Sequence, residues 1–196
     1  LSGDTGDVAC DHYHRLEEDV KLMSEMGLRA YRFSIAWPRL FPDGTVASEN
    51  AAGVAFYKRL LSLLKAAGIK ACATLYHWDL PQGLLDASPT HAPPVCDSRY
   101  RQGWFECTQD KEGGGKPVPS GLDAEVVKQF GAYAEFILKE YGSKVQTWVT
   151  FNEAWTFVVL GYGTGSKAPG APFVNISTYP YLAGHHVLLA HAEAVE

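Results

Sequence analysis

Glu153 stands where an apolar run breaks. The run Val145-Gln146-Thr147-Trp148-Val149-Thr150-Phe151 is rich in β-branched and aromatic residues, and Asn152-Glu153 follows it directly. Such a run reads as a buried strand. In parallel α/β proteins, side chains at the carboxyl end of a strand project into the crevice where ligands bind. A carboxyl enclosed there by Trp148, Phe151 and Trp155 would be disfavoured in its charged form and could hold a proton for a leaving group near neutral pH. The plainer alternative is that Glu153 only opens a helix, where an acid favours the positive end of the dipole.

Two other apolar runs end in the same manner. The first brings Arg32, Ser34 and Trp37 near its end, the second His77, Trp78 and Asp79. Aromatic planes among hydrogen-bonding groups suit a sugar, whose faces are apolar and whose rim is hydroxylated. Each residue also has an ordinary structural role open to it. Arg32 could pair with a buried acid, His77 could be a hydrogen-bonded core histidine, and Trp37 and Trp78 could be filler between layers. Polar tips on three successive strands are harder to explain in that way.

The elements that must position these residues alternate. A helix is predicted from Asp11 to Met26, a strand over Ala30–Trp37, a helix over Ala51–Ala67 and an apolar strand over Ile69–Tyr76. A third helix is predicted from Asp123 to Tyr141, leading into the strand before Asn152, and a last one over Tyr181–Val195. Helices and strands in this order imply parallel strands joined by crossovers, as in a doubly wound sheet or part of a (β/α)₈ barrel. No Gly-rich phosphate loop follows any strand, which counts against a nucleotide-binding sheet. Between Leu85 and Leu122 the periodicity collapses into a stretch with five prolines and the run Gly113-Gly114-Gly115. That segment is expected to be the most mobile part of the chain, cut first by proteases near Arg101, Lys111 or Lys116.

Composition narrows the function classes. With 46% hydrophobic and 20% charged residues in 196, the chain has the make-up of a soluble globular protein. A net charge of -5, with 17 Lys and Arg scattered along the chain, argues against a nucleic-acid footprint. No apolar stretch has the length of a membrane span. Cys10, Cys72, Cys96 and Cys107 form no CxxC pair, so a zinc knuckle is not indicated, and Cys96 and Cys107 could bridge one loop. Asn175-Ile176-Ser177 is a glycosylation sequon usable only in a secreted protein, and the compartment stays open. The opening Leu1-Ser2-Gly3-Asp4 carries no initiator Met and reads as the interior of a longer protein.

The chain resembles glycoside hydrolase family 1, the β-glucosidase family. The stretches that carry the resemblance are Asp11-His12-Tyr13-His14-Arg15, Tyr31-Arg32-Phe33-Ser34-Ile35-Ala36-Trp37-Pro38-Arg39, Thr74-Leu75-Tyr76-His77-Trp78-Asp79-Leu80-Pro81 and Thr150-Phe151-Asn152-Glu153. Gly161-Tyr162-Gly163, Ala168-Pro169-Gly170 and Gly184-His185-His186 to Ala190-His191-Ala192 agree as well. The resemblance implies an α/β fold, a partial (β/α)₈ TIM barrel comprising about strands 2 to 4 with their helices. It implies one incomplete domain over residues 1–196, interrupted by a low-order insertion at about 85–122.

By the same resemblance, Glu153 is the general acid/base, Asn152 hydrogen-bonds the sugar 2-hydroxyl, His77 and Trp78 bind the sugar, and Arg32 supports the catalytic nucleophile. The implied activity is that of a retaining β-glycosidase, a β-glucosidase, acting on a small-molecule β-glycoside with no metal or organic cofactor. The family's nucleophile motif, Thr-Glu-Asn-Gly, does not occur in this sequence, so the chain alone is expected to be inactive. The family's Pro after the acid/base Glu is Ala154 here, and its Gly-Gly-Trp connection is echoed only at a displaced Gln102-Gly103-Trp104. Asp79 resembles a structural residue of the family, and Glu106 falls in the insertion. Two alternatives remain. One is a non-catalytic sugar-binding protein, the other a metal-dependent barrel hydrolase using His12, His14 and Asp79.

Overall fold

Pro38 decides where the first strand stops. The computed structural model describes residues 5–6, 8–85, 103–109, 117–170 and 175–196. In it, helix α1 (Leu16–Glu25) buries Leu16 and Val20 and leads into strand β1 (Ala30–Ser34). The strand was expected to run to Trp37, but Trp37 instead opens a four-residue helix, α2 (Trp37–Leu40), with proline in its first turn. Proline lacks an N–H and has a fixed φ, which that position tolerates. Trp37 is therefore fully buried and stacks on Tyr133 at 4.9 Å instead of facing the strand-end crevice. Helix α1 likewise begins later than Asp11, whose left-handed φ of 55° belongs to a preceding turn.

Helix α3 (Ala51–Ala66) starts at Asn50, whose side-chain oxygen accepts the Ala52 N–H at 3.2 Å. Such a cap satisfies one of the orphan donors of the first turn. The i, i+3, i+4, i+7 spacing of Tyr57, Leu60, Leu61 and Leu64 places all four in the core. Strand β2 (Lys70–Tyr76) follows, then two short strands, β3 (Cys107–Gln109) and β4 (Pro117–Pro119), which pair antiparallel with each other. Helix α4 (Glu125–Tyr141) precedes strand β5 (Thr147–Phe151). Helix α5 (Ala154–Val158), a π-helical continuation over Val159–Thr164 and helix α6 (Tyr179–Val195) complete the order.

The main sheet has the order β1-β2-β5 with both pairs parallel, in register Ser34↔Thr74 and Thr74↔Val149. The three carboxyl ends therefore lie side by side. Tyr133 of α4 ties two of them from beneath, its hydroxyl lying 3.0 Å from the Ile35 carbonyl and 2.9 Å from that of Leu75. Its single proton serves one acceptor at a time. The periodicity marks Tyr133 as merely apolar; a tyrosine in a buried stripe signals that its hydroxyl has a partner to reach.

The segment expected to be without order is in part woven into the core. Gly103, Trp104 and Phe105 form a short 3-10 turn in which both aromatic side chains have no solvent exposure. The Trp104 ring sits edge-on to Tyr76 at 5.3 Å, to Phe151 at 5.4 Å and to Phe130 at 5.8 Å. Its backbone N–H donates to the Tyr162 hydroxyl at 3.1 Å, and its carbonyl accepts from His186 Nδ1 at 2.9 Å. That partner places the His186 proton on Nδ1. Glu106, from the same segment, accepts the Glu125 N–H at 2.8 Å and so caps the first turn of α4. An isolated Trp-Phe pair among prolines and glycines has no periodicity to reveal it. Residues 86–102 and 110–116, where the protease sites were placed, lie outside the described residues, as does Cys96 with its suggested partner bond to Cys107.

Candidate active site

Asn152 is the knot of the site. It follows β5 directly, is 8% exposed, and donates its backbone N–H to the Tyr76 carbonyl at 3.0 Å. Its own carbonyl accepts the Trp78 indole N–H at 2.9 Å, and its side-chain oxygen accepts from Arg32 Nη2 at 2.6 Å. Arginine can only donate, so the amide oxygen must face it and the Asn152 NH₂ is turned the other way, free to donate to a ligand. The Trp78 indole N–H is spent within the protein, which leaves its ring face for an apolar surface. Arg32, Trp78 and Asn152, predicted from three different strands to meet, are thus joined directly.

Two residues at these ends hold left-handed backbones, Trp78 at φ 74° and Glu153 at φ 45°. Positive φ in a bulky residue is a genuine outlier, and such strain gathers at functional sites. Glu153 occupies the residue before α5, yet its side chain makes no capping hydrogen bond. Glu153 thus stands at the head of a helix, as the plainer reading has it, but leaves its carboxyl unengaged by that helix. The enclosure expected around the carboxyl is also not there: Glu153 is exposed, and Trp155 is 72% exposed. Phe151 turns instead to the helix layer, stacked on Phe130 at 4.7 Å.

His77 is exposed beside Trp78, ring centroids 5.5 Å apart, so it is not a core histidine. Asp79 behaves differently from its neighbours. Burial pushes its carboxyl above the usual aspartate range, while its own N–H, the N–H and charge of His77, and the Trp37 N–H pull the other way. The His77 N–H reaches Asp79 Oδ1 at 3.3 Å.

The metal alternative does not survive the geometry. His12 pairs with Asp19 at 2.5 Å and His14 with Asp11 at 2.6 Å, each with its own carboxylate and neither with Asp79. Among the described residues no group of three His, Cys, Asp or Glu could hold a metal. Nor is any described helix long and apolar enough to cross a membrane.

The family model for glycosyl hydrolase family 1 matches residues 1–98 and 117–196. Beta-glucosidase 6 of Oryza sativa subsp. japonica is 42% identical over 197 residues, covering 96% of this chain and 32% of the relative. Beta-glucosidase 40 of Arabidopsis thaliana is 43% identical over 195 residues, covering 95% and 32%. Among solved structures, the family 1 β-glucosidase of Thermotoga maritima superposes with a TM-score of 0.77 at 35% identity, covering 100% of this chain and 36% of that one. A mutant rice β-glucosidase in covalent complex with Glc gives 0.76 at 39% identity, covering 97% and 35%. The three parallel strands and their helices are part of a (β/α)₈ barrel, and the chain spans about a third of the length of the relatives it matches.

Proposed function

The chain belongs to glycosyl hydrolase family 1, and on that premise we propose that it is the acid/base-bearing part of a retaining β-glycosidase, specifically a β-glucosidase. Glu153 is the general acid that protonates the leaving oxygen and later the base that activates water. Asn152 donates to the sugar 2-hydroxyl. His77 and the face of Trp78 hold the sugar where cleavage occurs, and Arg32 supports the nucleophile. Residues 1–196 form one incomplete barrel domain interrupted by an insertion at about 85–122, a span within which the family match breaks off between residues 98 and 117. The substrate is a small-molecule β-glycoside, and the chemistry asks for no metal or organic cofactor.

The observation that carries the reading is the junction at Asn152. Arg32, from β1, and Trp78, just past the end of β2, both bond the residue next to Glu153. A carboxyl not engaged in capping its helix is thereby set beside a fixed amide donor. Retention needs a second carboxyl about 5–5.5 Å away, which attacks the anomeric carbon while the first gives its proton to the departing oxygen. Asp79 is a poor candidate for that role, because its carboxylate is directed to backbone N–H groups. The covalent glucose adduct of the rice relative is consistent with a nucleophile supplied elsewhere in the barrel.

The test is the leaving-group dependence of Glu153→Gln in the full-length protein. An amide cannot donate the proton that an alkoxide needs, whereas a nitrophenolate leaves with little help. The loss in kcat should shrink as the leaving group's pKa falls. Equal losses across the series would remove Glu153 from the acid role.

A further inference from the structure

Trp78 holds a backbone conformation that nothing in its own side chain favours. At φ 74° a bulky residue is under strain, and such strain persists only where neighbours over-determine it. One of the restraints is the indole bond to the Asn152 carbonyl at 2.9 Å. A second lies in the next residue. Asp79 Oδ1 accepts the His77 N–H at 3.3 Å, closing a loop of chain around Trp78. The Trp37 N–H, just past the end of β1, faces the same carboxylate. Asp79 therefore closes the turn that contains Trp78, beside the end of β1.

We propose that Asp79 is a positioning residue, whose carboxylate holds the His77–Trp78 turn in the left-handed conformation from which the Trp78 indole braces Asn152. The line of action runs from Asp79 through Trp78 to Asn152, and Asn152 is the residue that Arg32 orients. Without the carboxylate, the His77 N–H loses its acceptor and Trp78 is free to leave its strained conformation. The ionisable groups that Asp79 faces are His77, Tyr57, Tyr76 and Tyr133. The inference deepens the proposed function, resting on it for what Asn152 binds but not for what Asp79 holds.

The experiment uses indole ¹⁵N labelling, since the five tryptophans give five N–H probes. In Asp79→Ala, hydrogen exchange at the Trp78 indole is expected to quicken about tenfold, the equivalent of roughly one lost hydrogen bond. In Asp79→Asn, which keeps the shape and one acceptor, it should quicken about threefold. The Trp104 indole, buried in the core, should not change in either. Unaltered Trp78 exchange in a folded variant overturns the proposal. So does quickening of Trp104 in step with Trp78, or failure of even Asp79→Asn to fold, because either makes Asp79 a general support of the fold. In the full-length protein, Asp79→Asn should raise KM for an aryl β-glucoside about fivefold while changing kcat less. If the unmutated protein cleaves no glycoside, the functional reading fails while the indole result stands, so the two failures are distinguishable.

Discussion

Arg32 reaches past the middle strand of the sheet and donates to Asn152 at 2.6 Å, so the first and third strands are tied at the end that carries Glu153. The bond does more than brace. It fixes which end of the Asn152 amide a ligand meets, and that end is a donor. In the full-length protein, Asn152→Asp should therefore do worse than its small change in shape suggests. The new carboxylate can pair with Arg32, but it offers the sugar hydroxyl an acceptor where a donor is required. A fall in kcat/KM on the order of a hundredfold is expected, about two hydrogen bonds' worth. Near-normal kcat/KM on an aryl β-glucoside would show that Asn152 does not donate to substrate.

The 196-residue chain by itself should hydrolyse no glycoside. Displacement at the anomeric carbon needs two carboxyls placed across the sugar. Glu153 supplies one, and Asp79 is committed to its backbone donors. The assay is hydrolysis of an aryl β-glucoside, with Glu153→Gln as control. Turnover that disappears in the control would mean that this chain holds a working second carboxylate, and Asp79 would be examined first.

Trp104 should be among the costliest side chains to remove. It has no solvent exposure and meets Tyr76, Phe130 and Phe151 edge-on. Trp104→Ala should lower stability by about 3–5 kcal/mol, a large share of what a domain has. Trp155→Ala, at a residue 72% exposed, should stay within roughly 0.5 kcal/mol. Denaturant midpoints of the two variants decide the matter; equal midpoints would place Trp104 outside the core.

His186 should make the fold sensitive to acid. Burial pushes its pKa below the ordinary 6.5, against the pull of the Trp104 carbonyl, with His185 pushing the same way as burial. The folded protein then binds this proton less readily than the unfolded chain. Stability is full above pH 6.5 and declines as pH falls from there towards the folded-state pKa. In His186→Asn, whose amide can still donate to Trp104, thermal midpoints measured below pH 6.5 should fall less steeply. An identical slope would clear His186.

Much of the fold is legible because its signals are periodic. Tyr57, Leu60, Leu61 and Leu64 announce a helix by spacing alone, and the run ending at Tyr76 announces a strand. The strand-end residues are legible for another reason: polar groups interrupt the apolar pattern where a parallel sheet places its ligands. What sequence could not convey is which partner each polar group finds. Arg32 and Asn152 are 120 residues apart, and their bond exists only because β2 lies between them in the sheet. Trp37 shows the opposite error, an aromatic residue at a strand tip that one proline folds back into the core. Glu153 shows a third. Its aromatic neighbours in sequence do not enclose it, because the chain turns left-handed at Glu153, Phe151 packs on Phe130 and Trp155 lies exposed on α5.

Glu106 comes from the part of the chain where the family model finds no match, and it caps the helix that carries Tyr133. Tyr133 in turn holds together the strand ends on which the site is built. A segment of that kind cannot be trimmed like an ordinary surface loop. Any shortened version that loses Glu106 and Trp104 would have to find another lid for α4 and another filler for the core at the same time. This short piece is instead something the strand ends depend on.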